Sequence, residues 1–225
     1  MKKRPPEPRV DLRIGGFVPF TSVDFPGHLA AVIFCQGCTW RCRYCHNPHL
    51  QTFESEGSAW SWDLVSRALD QRQGFLEAVV FSGGEPTAQT SLAAAMQAVR
   101  RMGYKIGLHT AGAFPDRLAE VLPLVDWVGF DIKAPLDSRY RRITGRPERE
   151  VEVKQSLELL LRAGVPMEIR TTRHEYLLSD QDLEDLQRDL RSVGAGPAKI
   201  QEFRPEGCID PELLAFGKKR PAKED

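Results

Sequence analysis

The chain has 225 residues, enough for one domain with a full-sized core. Hydrophobic residues make up 41% and charged residues 28%, and Lys+Arg 31 against Asp+Glu 31 leaves no formal net charge. That balance argues against bulk attraction to nucleic acid. No apolar run is long enough for a bilayer-spanning helix, and the opening MKKRPPEPRVDLR lacks the apolar stretch of a secretory signal. The expectation is a cytoplasmic protein with no membrane or nucleic-acid partner. In a reducing compartment its five cysteines do not read as a disulfide framework.

The Pro- and charge-rich residues 1–13 are expected to be flexible, residues 14–207 to form the domain, and residues 208–225, ending in GKKRPAKED, to be a tail. Within the domain short apolar runs alternate with helical periodicity. LAAVIF (29–34) is the first expected strand, followed by a helix from an N-cap at Ser61 to a stop at Gly74. EAVVFSGGEP (77–86) precedes a helix over 91–102. KIGLHTAG (105–112) precedes a short helix over 116–121. WVGFDIKAP (127–135) precedes a helix over 151–163. PMEIRTTRH (166–174) precedes a helix over 179–193, and KIQEFRP (199–205) is the sixth strand. Alternating strands and helices imply parallel strands with right-handed crossovers. Six units are fewer than the eight of a closed barrel, and no GxGxxG follows the first strand.

Polar and special residues gather at the C-terminal ends of these runs: the cysteines, SGGEP, HTAG, DIK, RTTRH and EFRP. In parallel α/β folds ligands bind at that edge.

The first strand runs into FCQGCTWRCRYCHNPHL, where Cys35, Cys38, Cys42 and Cys45 lie within eleven residues. A structural zinc site uses two ligand pairs separated by a longer loop. A Cys-x-x-Cys redox pair would leave the other two thiols unexplained. Crowded soft thiolates suit an iron–sulfur cluster. The inner triple, Cys38-x3-Cys42-x2-Cys45, would leave one iron of a four-iron cluster open to a substrate. Cys35 reads as a small buried strand residue.

At SGGEP, two glycines allow backbone to approach a ligand, and Glu85 can accept from an ammonium group. In DIK, Asp131 and Lys133 fall on one face of a strand and can meet the charges of a zwitterion or simply each other.

The triple, with aromatic Tyr44 just before its last cysteine, resembles the signature of the radical S-adenosylmethionine (SAM) superfamily. The resemblance implies a partial (β/α)6 barrel, an α/β fold with the cluster loop after the first parallel strand. It implies a [4Fe–4S] cluster held by Cys38, Cys42 and Cys45, and SAM held by Gly83, Gly84, Glu85, Asp131 and Lys133. Tyr44, Asn47, Thr110, His109 and Arg170 are further candidates for SAM contacts; His109 stands where relatives carry an aspartate. Phe203 and Arg204 are candidates for the adenine or for the protein-substrate entrance. CRYCHNP (42–48) and TSVDFPG (21–27) resemble activating enzymes of glycyl radical enzymes. FDIKAP, YRRITG (140–145), EIRTT and QEFRP resemble the branch serving anaerobic ribonucleoside-triphosphate reductase. The implied reaction is reductive cleavage of SAM to a 5′-deoxyadenosyl radical, which takes a hydrogen from a glycine of the partner enzyme. Flavodoxin or ferredoxin is the implied electron donor. Two alternatives stay open: a radical SAM enzyme acting on a small molecule or peptide, and a non-catalytic iron–sulfur or zinc module in which Cys35 is also a ligand.

Overall fold

A computed structural model describes residues 10–54, 58–146 and 150–216. Its seven-stranded sheet follows chain order: β1 (Ile14–Thr21), β2 (Ala30–Cys35), β3 (Ala78–Gly83), β4 (Lys105–Thr110), β5 (Trp127–Asp131), β6 (Met167–Arg173) and β7 (Lys199–Glu202). The pairings from β2 to β7 are all parallel, and β1 lies antiparallel on β2. Among the described residues β7 does not pair back to β1, so the parallel units form the partial (β/α)6 barrel.

β1 was not among the six expected strands. Its sequence, IGGFVPFT, interrupts the apolar alternation with two glycines and a proline, which weaken a strand signal and suit an edge. Its pairing with β2 carries two register shifts, one beside the glycines and one beside Pro19.

The crossovers contain α1 (Trp62–Asp70), α2 (Leu92–Arg101), α3 (Pro115–Val121), α4 (Arg139–Thr144), α5 (Glu150–Ala163) and α6 (Asp180–Ser192), and α7 (Pro211–Phe216) follows β7. Ser61 accepts from the Leu64 amide at 3.3 Å and starts α1 as expected. Ser179 and Asp182 form a reciprocal capping box that starts α6.

Strand alternation sorts the core. Ala31 and Ile33 of β2 with Val79 and Phe81 of β3 belong to the large cluster shared with the helices. Ala30, Val32, Ala78 and Val80 join Phe25 and Trp127 in a second cluster on the other face, inside the barrel. Small side chains leave room there for Phe25, delivered by the turn after β1.

Two boundaries move. Residues 1–9 and 217–225 lie outside the described residues. Residues 10–13, expected to be loose, are anchored: Val10 and Leu12 are buried, and Gln89 bonds both the amide and the carbonyl of Arg13, at 2.8 and 2.7 Å. The first part of the expected tail is anchored too, with Cys208 and Leu213 buried. In both stretches apolar side chains set among charged ones find core to cover.

Candidate active site

From β3 to β7 the strands end earlier than expected, whereas β2 runs one residue further, to Cys35; residues just past the strand ends help to build the site. A cavity of ≈ 630 Å³ opens at the C-terminal ends of the parallel strands, and Cys38, Cys42 and Cys45 all line it. They sit on a loop without strand or helix in its first half, yet its backbone is tied on several sides. Gly37 and Cys38 donate to the carbonyls of Leu50 and Gln51 at 2.9 and 3.2 Å. Arg41 and Arg43 donate to Thr144 and Ile143 at the end of α4, at 2.8 and 3.1 Å. The Arg43 guanidinium reaches Asp210 and Glu212, each at 2.6 Å.

Gly84 and Glu85 donate to the carbonyls of Cys35 and Gly37, both at 2.9 Å. A side chain on Gly84 would strike the carbonyls of Gly37 and Leu50, and Gly83 holds φ +116°. The two glycines therefore let the cluster loop close against β3, while both also line the cavity.

Burial pushes the Cys38 thiol far up, reinforced by Glu85. Burial also raises Cys42, to about 11, against the pull of Lys133. Such thiols become thiolates when a metal centre takes them. Among the described residues no three His, Cys, Asp or Glu side chains converge as ligands of a single metal ion; thiolates on three different irons need no such convergence. Tyr44 Oη and the Trp40 indole Nε1 are buried without partners, and both residues belong to the cavity wall. Unpaired polar atoms around soft donors fit a site shaped for a bound group. Cys35 is fully buried in the helix-side core and does not line the cavity.

A charged cluster lines the same cavity. Asp131 accepts from Arg170 Nε at 3.0 Å and pairs with Lys133 at 3.5 Å. Burial works against the Asp131 charge, but Lys133 and Arg170 outweigh it and hold its carboxyl below the usual range. Two cations on one carboxylate leave a net positive charge facing the cavity, suited to a carboxylate-bearing ligand. Lys133 also lies 6.0 Å from the centre of the Tyr44 ring.

Arg170 reaches this place because β5 carries Gly129, where a Cβ would meet the Arg170 guanidinium and the His109 ring, each at 2.8 Å. His109 Nε2 donates to the Asp24 carbonyl at 3.0 Å, so Nδ1 accepts from Ser82 at 3.3 Å. Burial, reinforced by Arg170, lowers His109 to about 4 and keeps it neutral. His109 thus clips the DFPG turn to the barrel mouth, and Asp24 becomes part of the cavity lining.

Asn47 and Thr110 line the cavity as well. Glu85 departs from expectation: it does not line it. Its Oε1 accepts from Thr87 N, Thr87 Oγ1 and Thr110 Oγ1 at 3.1, 2.6 and 2.6 Å, and its Oε2 from Ala111 N at 2.9 Å. It is a buried clamp between β3 and β4. Sequence reading passed over Gly129 and Trp40. A glycine inside the apolar strand WVGFD was the signal for the first, since such a glycine often marks close approach.

Residues 32–193 match the Radical SAM superfamily. The chain belongs to that superfamily. Its cofactors are accordingly a [4Fe–4S] cluster and SAM. A candidate glycyl-radical enzyme activating enzyme of Methanocaldococcus jannaschii is 28% identical over 207 residues, which is 89% of this chain and 83% of that protein. The pyruvate formate-lyase-activating enzyme of Clostridium pasteurianum is 34% identical over 131 residues, 56% of this chain and 55% of the relative. The chain thus spans most of the first relative and about half of the second. Streptococcus suis SuiB bound to SAM superimposes with a TM-score of 0.57 at 14% identity, over 75% of this chain and 39% of that one. Native anSMEcpe with bound SAM and the Cp18Cys peptide gives 0.59 at 16%, over 78% of this chain and 49% of that one. These likenesses show the fold.

Proposed function

We propose that the chain is an activating enzyme of a glycyl radical enzyme, with anaerobic ribonucleoside-triphosphate reductase as the partner. One observation carries the reading: a single cavity joins the three cysteines to the Asp131–Lys133–Arg170 cluster, and it opens beside the last strand of an unclosed barrel. Similarity to a candidate glycyl-radical enzyme activating enzyme across 89% of the chain supports it. The FDIKAP, YRRITG and QEFRP motifs support the reductase branch.

Cys38, Cys42 and Cys45 hold the cluster, which when bound supplies the electron that breaks the sulfonium bond of SAM to carbon 5′. Lys133 and Arg170 take the SAM carboxylate, against the fixed charge of Asp131. Gly83 and Gly84 offer backbone to its amino group. Tyr44, Asn47, His109 and Thr110 wall the remainder. The task of these residues is orientation and exclusion of water. The donor is flavodoxin or ferredoxin, and the setting is the cytoplasm.

The small-molecule alternative has one observation of its own. The 7-carboxy-7-deazaguanine synthase of Thermococcus kodakarensis is 28% identical over 156 residues, 68% of this chain. Anaerobic reconstitution with iron and sulfide, then reduction, separates the readings. The electron paramagnetic resonance spectrum is recorded with and without SAM, 5′-deoxyadenosine is assayed, and the partner reductase is added. A SAM-dependent spectral change followed by a glycyl radical on the reductase is expected. SAM cleavage with no radical on that reductase would move the assignment to another substrate.

A further inference from the structure

A glycine has no side chain to recognise. An enzyme that selects one glycine in a polypeptide must use the flanking residues and the peptide backbone. At the rim of this cavity one strand edge offers backbone to a polypeptide. β7 ends the sheet, and among the described residues no strand pairs with its outer edge.

The polarity of that edge follows from one bond. The Phe203 amide donates to the Arg173 carbonyl at 2.9 Å, towards β6. In a parallel ladder both polar groups of one residue face the same neighbour, and those of the next face away. Ile200 and Glu202 therefore turn their N–H and C=O outward. Lys199, Gln201 and Glu202 are exposed.

The end of this strand is also the lip of the cavity, lined by Gln201, Glu202, Phe203 and Arg204. A second cavity of ≈ 790 Å³ shares His46, Asn47, Phe203 and Arg204 with the first and continues to Glu206 and Gly207. A segment laid along β7 would reach both cavities with no change in the sheet.

We propose that the outer edge of β7 docks the substrate polypeptide: an extended segment of the partner adds there as a further strand, through backbone hydrogen bonds to Ile200 and Glu202, and carries its glycine over the lip to the cysteine side. The proposal rests on the activating-enzyme reading and names how its substrate is held. Strand addition gives affinity through main-chain bonds and leaves specificity to alternate side chains, which suits a target residue that has none.

The test uses the wild-type protein, cluster-loaded and with SAM, and a short peptide spanning the glycine loop of the partner reductase. Each residue flanking the glycine is N-methylated in turn, and the dissociation constant is measured. Expected is a period of two: methylation at every second position weakens binding about tenfold, the size of one lost hydrogen bond, and the positions between change it little. Glu202→Pro removes an outward N–H that the ladder does not use. It should weaken the unmodified peptide and erase the pattern, whereas Glu202→Ala should keep it. Uniform losses, no losses or no peptide binding would each overturn the proposal. So would a dimer of the free protein that Glu202→Pro splits, which would place a second copy on this edge. A glycyl radical formed without the period-two pattern would leave the activating reading standing and remove this one. Absence of SAM cleavage would remove the reading beneath it.

Discussion

Arg170 sits on β6 but acts at the end of β5, and Gly129 is what admits it. A methyl group there would press on the guanidinium and on His109 together. Overpacking of this kind costs about 1–3 kcal/mol. Gly129→Ala should therefore lower the melting temperature and also weaken SAM binding by displacing Arg170 from Asp131. Calorimetry and a SAM titration of the cluster-loaded protein check both; unchanged SAM affinity would remove Arg170 from the ligand site. His109 makes a pH prediction. Its folded value of about 4 lies below the usual 6.5, so between those values the unfolded chain takes up a proton that the folded chain refuses. Stability is then full above pH 6.5 and falls as the pH drops towards 4, by about 3 kcal/mol at most. The facing groups are Arg170, Asp131 and the Asp24 carbonyl, of which Arg170 opposes protonation. His109→Gln keeps a donor and does not titrate, so its urea midpoints should change less with pH over that range; parallel slopes would contradict the assignment. Asp131 and Lys133 were legible as a nearby pair of charges, although β5 ends at Asp131 and Lys133 lies just beyond the strand rather than on it. Their link to Arg170 was not, because strand pairing sets it. Glu85 was misplaced because the motif fixes the turn and leaves open which way the carboxylate faces.

The cluster loop has little regular structure of its own and borrows order from α4, β3 and α7. The YRRITG stretch makes its contribution here. The end of α4 presents the Ile143 and Thr144 carbonyls to the loop, and Gly145 takes the left-handed φ of +65° that ends the helix. From the other side, the C-terminal segment grips Arg43 through Asp210 in a two-bond contact and through Glu212 in a single one. Asp210 is the more sheltered partner, 16% exposed against 63% for Glu212. Asp210→Ala should cost about 1 kcal/mol and speed the loss of iron to a chelator, with Glu212→Ala doing less of both. Equal iron loss in the two variants and the wild type would mean that the loop does not need this grip. The long helices and the parallel strands were readable because each carries its own periodicity. β1, α4 and α7 were not. β1 is broken by glycine and proline, and the two helices are six residues each, too short for a 3.6-residue pattern to declare itself.

Across the whole molecule, the cavity joins parts of the chain that are far apart in sequence: the loop after β2 supplies the thiols, while Asp131 at the end of β5, Lys133 just past it and Arg170 within β6 supply the charges. No strand pairing closes the barrel across that gap among the described residues. A ligand touching both walls would tie them together. SAM should therefore stabilise the fold as a whole, but only when the cysteine wall carries its cluster, because the charged wall alone offers half of the contacts. A ligand that binds the folded state alone, at a hundred times its dissociation constant, adds about 2.7 kcal/mol. In a domain of this size that corresponds to a rise of roughly 5–10 °C in Tm. The rise is expected for cluster-loaded wild type and should be largely lost in Cys42→Ser and in protein stripped of iron. Lys133→Met should lose it with the cluster still in place. A full rise in Cys42→Ser would show that SAM is held without the cluster, and would separate the two walls that the proposed mechanism requires to act on one ligand.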